Sequence, residues 1–121
     1  MNNYYLMDTP VRFNYLLDAL EFYMSELLPK HKTLDISLVV QEYIDEDLNI
    51  EGFTENNDNL KRPREFIISL SAYSDNLLLT LAHECIHVKQ YITSLEYNED
   101  EAYSKEQELY DSFIVHSELN Y

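Results

Sequence analysis

Two histidines and a glutamate stand in the order H-E-x-x-H within the segment TLAHECIHVKQY, residues 80–91. On a helix, His83 and His87 lie one turn apart and direct their imidazoles to one point, at a separation that a tetrahedral Zn²⁺ bridges. Glu84 lies about 100° round the helix from His83, beside the ion without ligating it. The pattern predicts a zinc site in which Glu84 takes a proton from the attacking water and returns it to the leaving amine of a peptide bond.

The helix that must carry these residues is apolar on most of its surface. We expect it to run from Asn76 to about Ser94, with Asp75 as its cap. Seven residues fall on one narrow polar stripe: Asn76, Thr80, His83, His87, Gln90, Tyr91 and Ser94. Polar side chains on such a helix must face solvent, form hydrogen bonds or hold an ion. Cys85 points away from this stripe and is expected to be a small buried apolar residue.

The residues LLLTLAHECIHVKQY, 77–91, together with EDEAY, 99–103, resemble the small zincin-like metallopeptidase domains found in phage and bacterial genomes. In that family a helix of the type L-x-H-E-x-x-H-V-x-Q-Y is followed by a helix that opens with a W-E-x-E-A-like motif. The resemblance covers roughly the C-terminal half of the chain. It implies a zinc site made of two histidines and a glutamate, with the glutamate supplied by the later helix.

Carried over residue by residue, the resemblance makes His83 and His87 the paired zinc ligands and Glu84 the general base. Glu99, three residues before Ala102, matches the ligand glutamate of the family. The two residues before Glu99 depart from the family, which often has tryptophan or proline there.

The residues after the H-E-x-x-H helix agree with Glu99 as the third ligand. Asn98 with Glu101 three residues later resembles a capping box that opens a last helix, which gives Glu101, the second glutamate of the motif, a structural task. Only 11 residues separate His87 from Glu99, and an unbroken helix would carry Glu99 about 18 Å away. The chain must therefore reverse around residues 94–98, without a glycine. If it did not, the alternative third ligands would be Glu106, Glu108 or His116; Glu101 is a further candidate.

The preceding residues predict one helix followed by two or three strands. Thr9 and Pro10 have the character of an N-cap and first helical residue, and apolar residues at helical spacing predict an amphipathic helix over about 10–28. Alternating patterns predict strands over 34–40 and 66–72, with a shorter strand over 48–53 after a charged turn at 45–47. The polar segment 54–64 is predicted to be a loop.

The last predicted element is a helix from about Asn98, which would bury Ala102, Leu109, Tyr110, Phe113 and Ile114. Successive strands lie too close together for helical crossovers, so the fold class is α+β. We expect a single domain over residues 1–121, with a minimal zincin-like order of N-terminal helix, small two- or three-stranded sheet, H-E-x-x-H helix and C-terminal helix.

Charge and composition exclude several classes of function. The chain has 23 acidic and 8 basic side chains, a formal net charge of −15, so direct binding to nucleic acid is disfavoured. Its one glycine excludes the glycine-rich phosphate loops, and its one cysteine excludes an internal disulfide. The sequence contains no signal-peptide pattern and no apolar run long enough to span a bilayer, so a cytoplasmic protein is expected.

The sequence therefore predicts a zinc-dependent peptidase that acts on a protein or peptide substrate, with the strand from Glu65 to Ser71 along its cleft. Tyr91, Tyr97 and Tyr103 are candidates for donating a hydrogen bond to the oxyanion. One alternative is a non-catalytic, zinc-stabilised protein-binding module, and another is an acidic, DNA-mimicking inhibitor of a basic partner. The oligomeric state is open.

Overall fold

The computed structural model describes residues 2–42, 51–58, 63–93 and 96–119 of the chain. Three helices and a four-stranded mixed sheet confirm the predicted α+β class. The elements are β1 (Asn3–Leu6), α1 (Tyr15–Leu27), β2 (Asp35–Gln41), β3 (Gly52–Asn56), β4 (Glu65–Ser71), α2 (Leu77–Ile92) and α3 (Glu99–Leu119). A short 3-10 turn, Val11–Phe13, precedes α1.

The sheet has the strand order β1-β2-β4-β3. The strands β1, β2 and β4 are parallel, and β3 runs antiparallel to β4 at one edge. Three strands follow α1, as predicted, but the predicted two- or three-stranded sheet is too small because β1, before α1, adds a fourth strand. The prediction missed β1, a four-residue strand on which only Tyr4 and Leu6 turn toward the core, because so short an alternation does not stand out from a turn.

The strand Glu65–Ser71 was predicted to lie along the cleft, where its backbone would pair with an extended substrate. This prediction is also wrong. This strand, β4, pairs with β2 on one side and with β3 on the other, so its backbone groups are already used. The strand at this edge of the sheet is β3. Alternation of apolar and polar residues identifies a strand with one buried face, but it contains no information on which neighbours the strand has.

The core lies between the sheet and the helices. The buried face of β2 and β4 presents alternate apolar residues, as their sequences predict: Ile36, Leu38, Val40, Phe66, Ile68 and Leu70. The helices α1 and α2 pack together over this face, and α3 packs against α2 and α1. On α3, Ala102, Leu109 and Phe113 are buried, whereas Tyr110 and Ile114 are only partly buried. The most buried helix is α2, which carries the H-E-x-x-H motif.

Neither of the two residues predicted to cap a helix does so. Thr9 does not cap α1; its hydroxyl donates to the carbonyl of Met7 at 2.8 Å and accepts from the Val40 amide at 2.9 Å, which ties the first loop to β2. The cap of α2 is Asn76, whose Oδ1 accepts from the amide of Leu79 at 3.2 Å, and not Asp75. Both residue types are good caps, so the position where the backbone turns decides between them.

The strand predicted over 48–53 overlaps β3 only at Gly52 and Phe53 among the described residues. Its first residues and the predicted turn at 45–47 lie outside the described residues, and β3 continues to Asn56, into the segment predicted to be a loop. The helix predicted over 76–94 is observed over Leu77–Ile92. None of the helices in the four described ranges has the length and apolar character needed to cross a bilayer.

A partly buried hydrogen bond links α1 to α2. Tyr23 of α1 is fully buried, and its hydroxyl donates to the carbonyl of Leu78, in the first turn of α2, at 2.9 Å. We predict that Tyr23→Phe lowers the free energy of unfolding by about 1 kcal/mol, because one net hydrogen bond is lost while the ring packing stays. Urea denaturation measures this change. Tyr15→Phe, at a largely exposed position on the same helix, is the control, and an equal loss in both variants would contradict the assignment.

Candidate metal centre

The two histidines of α2 and Glu84 beside them lie inside the protein rather than in solvent. His83 is 7% exposed, His87 is fully buried and Glu84 is 5% exposed. The helix is covered on one side by α3 and on another by β3. Burial of three ionisable groups on one helix is costly unless each of them has a partner. Their partners therefore define the chemistry of the site.

The chain reverses after α2 and brings Glu99, the first residue of α3, over the two histidines. The Nε2 atoms of His83 and His87 lie 3.2 Å apart, and Oε1 of Glu99 lies 3.2 Å from Nε2 of His83. The same oxygen contacts Nε2 of His87. Ligand atoms about 2.1 Å from a tetrahedral ion are separated by about 3.4 Å. The group formed by His83, His87 and Glu99 could therefore bind a metal ion.

The hydrogen bonds on the far side of each imidazole support this interpretation. Nδ1 of His83 lies 2.8 Å from Oε2 of Glu106, and Nδ1 of His87 lies 2.8 Å from Oε1 of Gln90. Both partners are oxygen acceptors, so each Nδ1 carries the hydrogen, and a ring with one hydrogen would present a bare Nε2. Two nitrogen lone pairs then face one carboxylate oxygen. A cation between them satisfies all three atoms, and nitrogen with carboxylate oxygen is a donor set that zinc and other divalent metals accept.

Tyr97 packs over this group from the solvent side. Its ring stacks on His87 with centroids 4.1 Å apart and an interplanar angle of 8°, and its hydroxyl donates to Oε1 of Glu99 at 3.0 Å. Burial by itself would raise the pKa of Glu99, but the hydrogen bond from Tyr97 and the contacts with the histidines outweigh it and lower the pKa. These contacts therefore favour the ionised form of Glu99.

Glu84 is held by β3. The hydroxyl of Thr54 donates to Oε1 of Glu84 at 2.7 Å, which leaves Oε2 as the oxygen with the freer lone pairs. Burial raises the pKa of the Glu84 carboxyl, and the hydrogen bond from Thr54 and the two histidines act in the opposite direction. A carboxyl whose pKa is raised by burial is a stronger base than one in water.

The single glycine of the chain makes this close approach possible. A Cβ atom on Gly52 would lie 2.9 Å from Cγ2 of Thr80 and 3.0 Å from Oε2 of Glu84. Since real Cβ atoms do not come so close, any other residue would push β3 away from α2 or displace the carboxylate. Gly52 and Thr54 are two residues apart and therefore share one face of β3. This face lies against Glu84.

A cleft of about 630 Å³ opens beside the three groups. The described residues that line it include four carboxylates, those of Glu51, Glu84, Glu99 and Glu106, and no lysine or arginine. Burial and the surrounding carboxylates raise the pKa of Tyr103, whose ring lies 4.6 Å from that of His83. The cleft therefore has a negative potential, which a bound cation would partly neutralise.

The other residues considered as metal ligands have different roles. Glu106 contacts the far side of His83, and Glu101 accepts from Nε2 of Gln90 at 2.9 Å. Glu108 is exposed, and the ring of His116 packs on Phe22 with centroids 4.7 Å apart. None of the four belongs to the group of converging ligand atoms found in the described part of the chain.

Only two of the three tyrosines considered as donors to the oxyanion lie near the candidate metal centre. Tyr97 and Tyr103 line the cleft, whereas Tyr91 packs on Phe66 with ring centroids 5.8 Å apart. Cys85 is fully buried, as expected, and burial raises the pKa of its thiol.

Sequence reasoning gave no role in the site to Gly52, Thr54 and Gln90, and it considered Glu106 only as an alternative third ligand, not as the partner of Nδ1 of His83. Thr54 and Gly52 lie about thirty positions before Glu84, on a strand whose register the sequence does not fix. Gln90 gave a usable signal, because it falls on the same polar stripe as the histidines.

No protein-family model matches this chain, and neither a curated protein nor a solved structure matches it. The identity of the site therefore rests on its own geometry.

We predict that Gly52→Ala destabilises the protein by about 1–3 kcal/mol, the usual effect of overpacking. The new methyl group meets Thr80 and Glu84 at distances that neither can accept without moving. Chemical denaturation measures the loss. The matched test is the double variant Gly52→Ala with Thr80→Ser, which removes the nearest methyl group but keeps the hydroxyl of residue 80. The double variant is expected to regain part of the stability; no recovery, relative to Thr80→Ser alone, would contradict the contact.

Proposed function

We propose that this protein is a zinc-dependent peptidase with a zincin-like active site, in which His83, His87 and Glu99 hold the ion. The observation that carries the proposal is the placement of Glu84. This carboxylate is buried, is not one of the three converging ligands, and has one oxygen engaged by Thr54 while the other lies against Gly52. A metal that only stabilised the fold would need no second carboxylate built into the wall beside it.

The roles of the residues follow from their positions. Zinc at a site with two histidines and a glutamate lowers the pKa of its water to about 7 and polarises a carbonyl. Glu84 is the general base: Oε2 accepts the proton of the attacking water and delivers it to the nitrogen of the leaving amine. Glu106 orients His83 and increases its basicity through the hydrogen bond at Nδ1. Tyr103, which lines the cleft, supplies a hydroxyl group for the oxyanion, whereas Tyr97 already donates its hydroxyl hydrogen to Glu99.

The substrate in this proposal is an extended peptide that pairs with β3. This strand stands at the edge of the sheet, and Gly52 and Phe53 line the cleft. Within the described residues, one side of β3 pairs with β4 and the other side pairs with no strand. A peptide added there as a further strand would pass beside Glu84, with its backbone groups paired and its side chains alternately facing the cleft.

The acidic lining of the cleft favours peptide segments over nucleic acids. Four carboxylates and no lysine or arginine line the cleft among the residues described, so phosphate groups would be repelled and cationic side chains tolerated. This supports a protein or peptide substrate rather than a polyanion.

We predict that the purified protein contains a single zinc ion per chain and that His83→Ala abolishes its retention. Loss of one of three ligands leaves too few donors for a stable tetrahedral site. Elemental analysis after gel filtration measures the zinc content. His31→Ala changes a histidine outside the ligand group and should keep the zinc. In addition, zinc at about 100 times its Kd should stabilise the parent by about 2.7 kcal/mol and His83→Ala by much less. A parent protein that retains no metal would refute the site.

We predict that Glu84→Gln lowers kcat for hydrolysis of an unfolded protein substrate by roughly 10²–10⁴, the usual contribution of a general base. The amide keeps the shape of the carboxylate and can still accept from Thr54, so zinc content should stay at the level of the parent. Glu108→Gln, at an exposed position of α3, is the control for a lost charge. If the parent binds zinc but has no activity that Glu84→Gln removes, the protein is a zinc-stabilised binding module instead.

A further inference from the structure

Gln90 is the most completely hydrogen-bonded polar side chain around the candidate metal centre. It is 1% exposed and lies on α2, one turn after His87. Its Oε1 lies 2.8 Å from Nδ1 of His87 and accepts from the backbone amide of Asn98 at 3.1 Å. Its Nε2 donates to the carbonyl of Asn98 at 3.0 Å and to Oε1 of Glu101 at 2.9 Å. The side-chain amide of Gln90 thus joins His87 to Asn98 and Glu101, the residues on either side of Glu99 in the chain.

The orientation of this amide is determined by its partners. The backbone amide of Asn98 is only a donor, so it must face Oε1 of Gln90. The carbonyl of Asn98 and the ionised carboxylate of Glu101 are only acceptors, so they must face Nε2. Rotating the amide by 180° would break these bonds and place like groups against each other in a buried position. Oε1 therefore points at His87.

This orientation fixes the tautomer of His87. Since Oε1 can only accept, Nδ1 of His87 must carry the hydrogen, and the neutral ring then has a bare Nε2. The carboxylate of Glu99, which contacts Nε2, favours the opposite tautomer when no cation is present. In that tautomer two lone pairs would face each other at Nδ1 and Oε1, 2.8 Å apart in the protein interior.

We propose that Gln90 is a positioning residue with two linked effects: it holds His87 in the tautomer that leaves Nε2 free for the metal, and it holds Asn98 so that Glu99 reaches the same ion. Both effects act through one rigid amide, so the second histidine and the third ligand are prepared together. The inference rests on the proposed metal site, but the tautomer it assigns is a property of the metal-free chain. A purely structural glutamine would stabilise the turn without determining which nitrogen of His87 carries the hydrogen.

The first experiment measures the tautomer of His87 in the metal-free protein, at a pH where the ring is neutral, by long-range ¹H–¹⁵N correlation. We expect the hydrogen on Nδ1 in the parent. In Gln90→Met, which keeps the length and burial of the side chain, Glu99 is the remaining acceptor and the hydrogen should move to Nε2. A parent that carries the hydrogen on Nε2, or the same tautomer in both proteins, would overturn the proposal. The measurement on the parent needs no variant to fold.

The second experiment measures zinc affinity by competition with a chelator. Loss of the group that orients a metal-binding histidine commonly weakens binding by roughly 10–100-fold, and we expect a decrease in this range for Gln90→Met. Gln107→Met is the matched control, because Gln107 is an exposed glutamine of α3 that donates to Asp111. An affinity within about twofold of the parent in Gln90→Met would argue against the role.

A third variant separates the two effects. Gln90→Glu keeps oxygen acceptors toward His87 and the amide of Asn98, but it removes the donors to the carbonyl of Asn98 and to Glu101. We expect the Nδ1 tautomer to persist while zinc affinity falls, because the start of α3 is no longer held. Unchanged affinity in this variant would overturn the second effect. If the parent instead bound no zinc but showed the Nδ1 tautomer, the proposed function would fail and the assignment of Gln90 to His87 would stand.

Discussion

The site depends on the reversal of the chain between Ile92 and Glu99. A helix that continued through this segment would carry Glu99 about 18 Å from His87, beyond the reach of any shared ion. The reversal uses no glycine. It is held instead by a side-chain amide, because Gln90 pairs with both backbone groups of Asn98 as a neighbouring strand would. Asn98 then caps α3 through the amide of Glu101 at 3.0 Å. The reciprocal bond expected from a capping box is absent among these contacts, since Gln90 has taken the Asn98 amide.

A second constraint acts from the opposite side of α2. The strand β3 crosses the helix at Thr80 and Glu84, where only a glycine fits. This places Thr54 within 2.7 Å of a carboxylate oxygen, and it places a sheet edge beside the candidate metal ligands. The helix is therefore held between α3, which supplies Glu99 and Glu106, and β3, which sets the position of Glu84. Within the described residues no buried side-chain polar atom lacks a partner, so the buried polar stripe is compatible with a stable core.

The parts of this structure that sequence predicts are those governed by local spacing. Helical and alternating patterns located α1, α2, α3, β2 and β4, and the spacing of His83 and His87 identified two candidate ligands because they lie on one helix face. Glu99 was indicated by the resemblance of residues 99–103 to a known motif, and the capping box of Asn98 and Glu101, which acts over three residues, agreed with that choice. The contacts of Thr54 with Glu84 and of Glu106 with His83 span 30 and 23 positions. Such contacts depend on strand register and helix packing, which the periodic pattern of apolar residues does not indicate. The edge position of β3 was missed for the same reason.

Charge links the proposed metal to the closure of the fold. Glu99 and Glu106 of α3 and Glu84 of α2 line one cleft that contains no lysine or arginine among the residues described. Bringing carboxylates together in a partly buried space is unfavourable unless positive charge accompanies them. The two histidines can provide it only by taking up protons at Nε2, and those protons would occupy the positions that a metal needs. A divalent cation replaces both protons and neutralises Glu99 at the same point. Docking of the first turn of α3 onto α2 and capture of the ion are therefore expected to be one coupled equilibrium, in which metal binding contributes directly to folding.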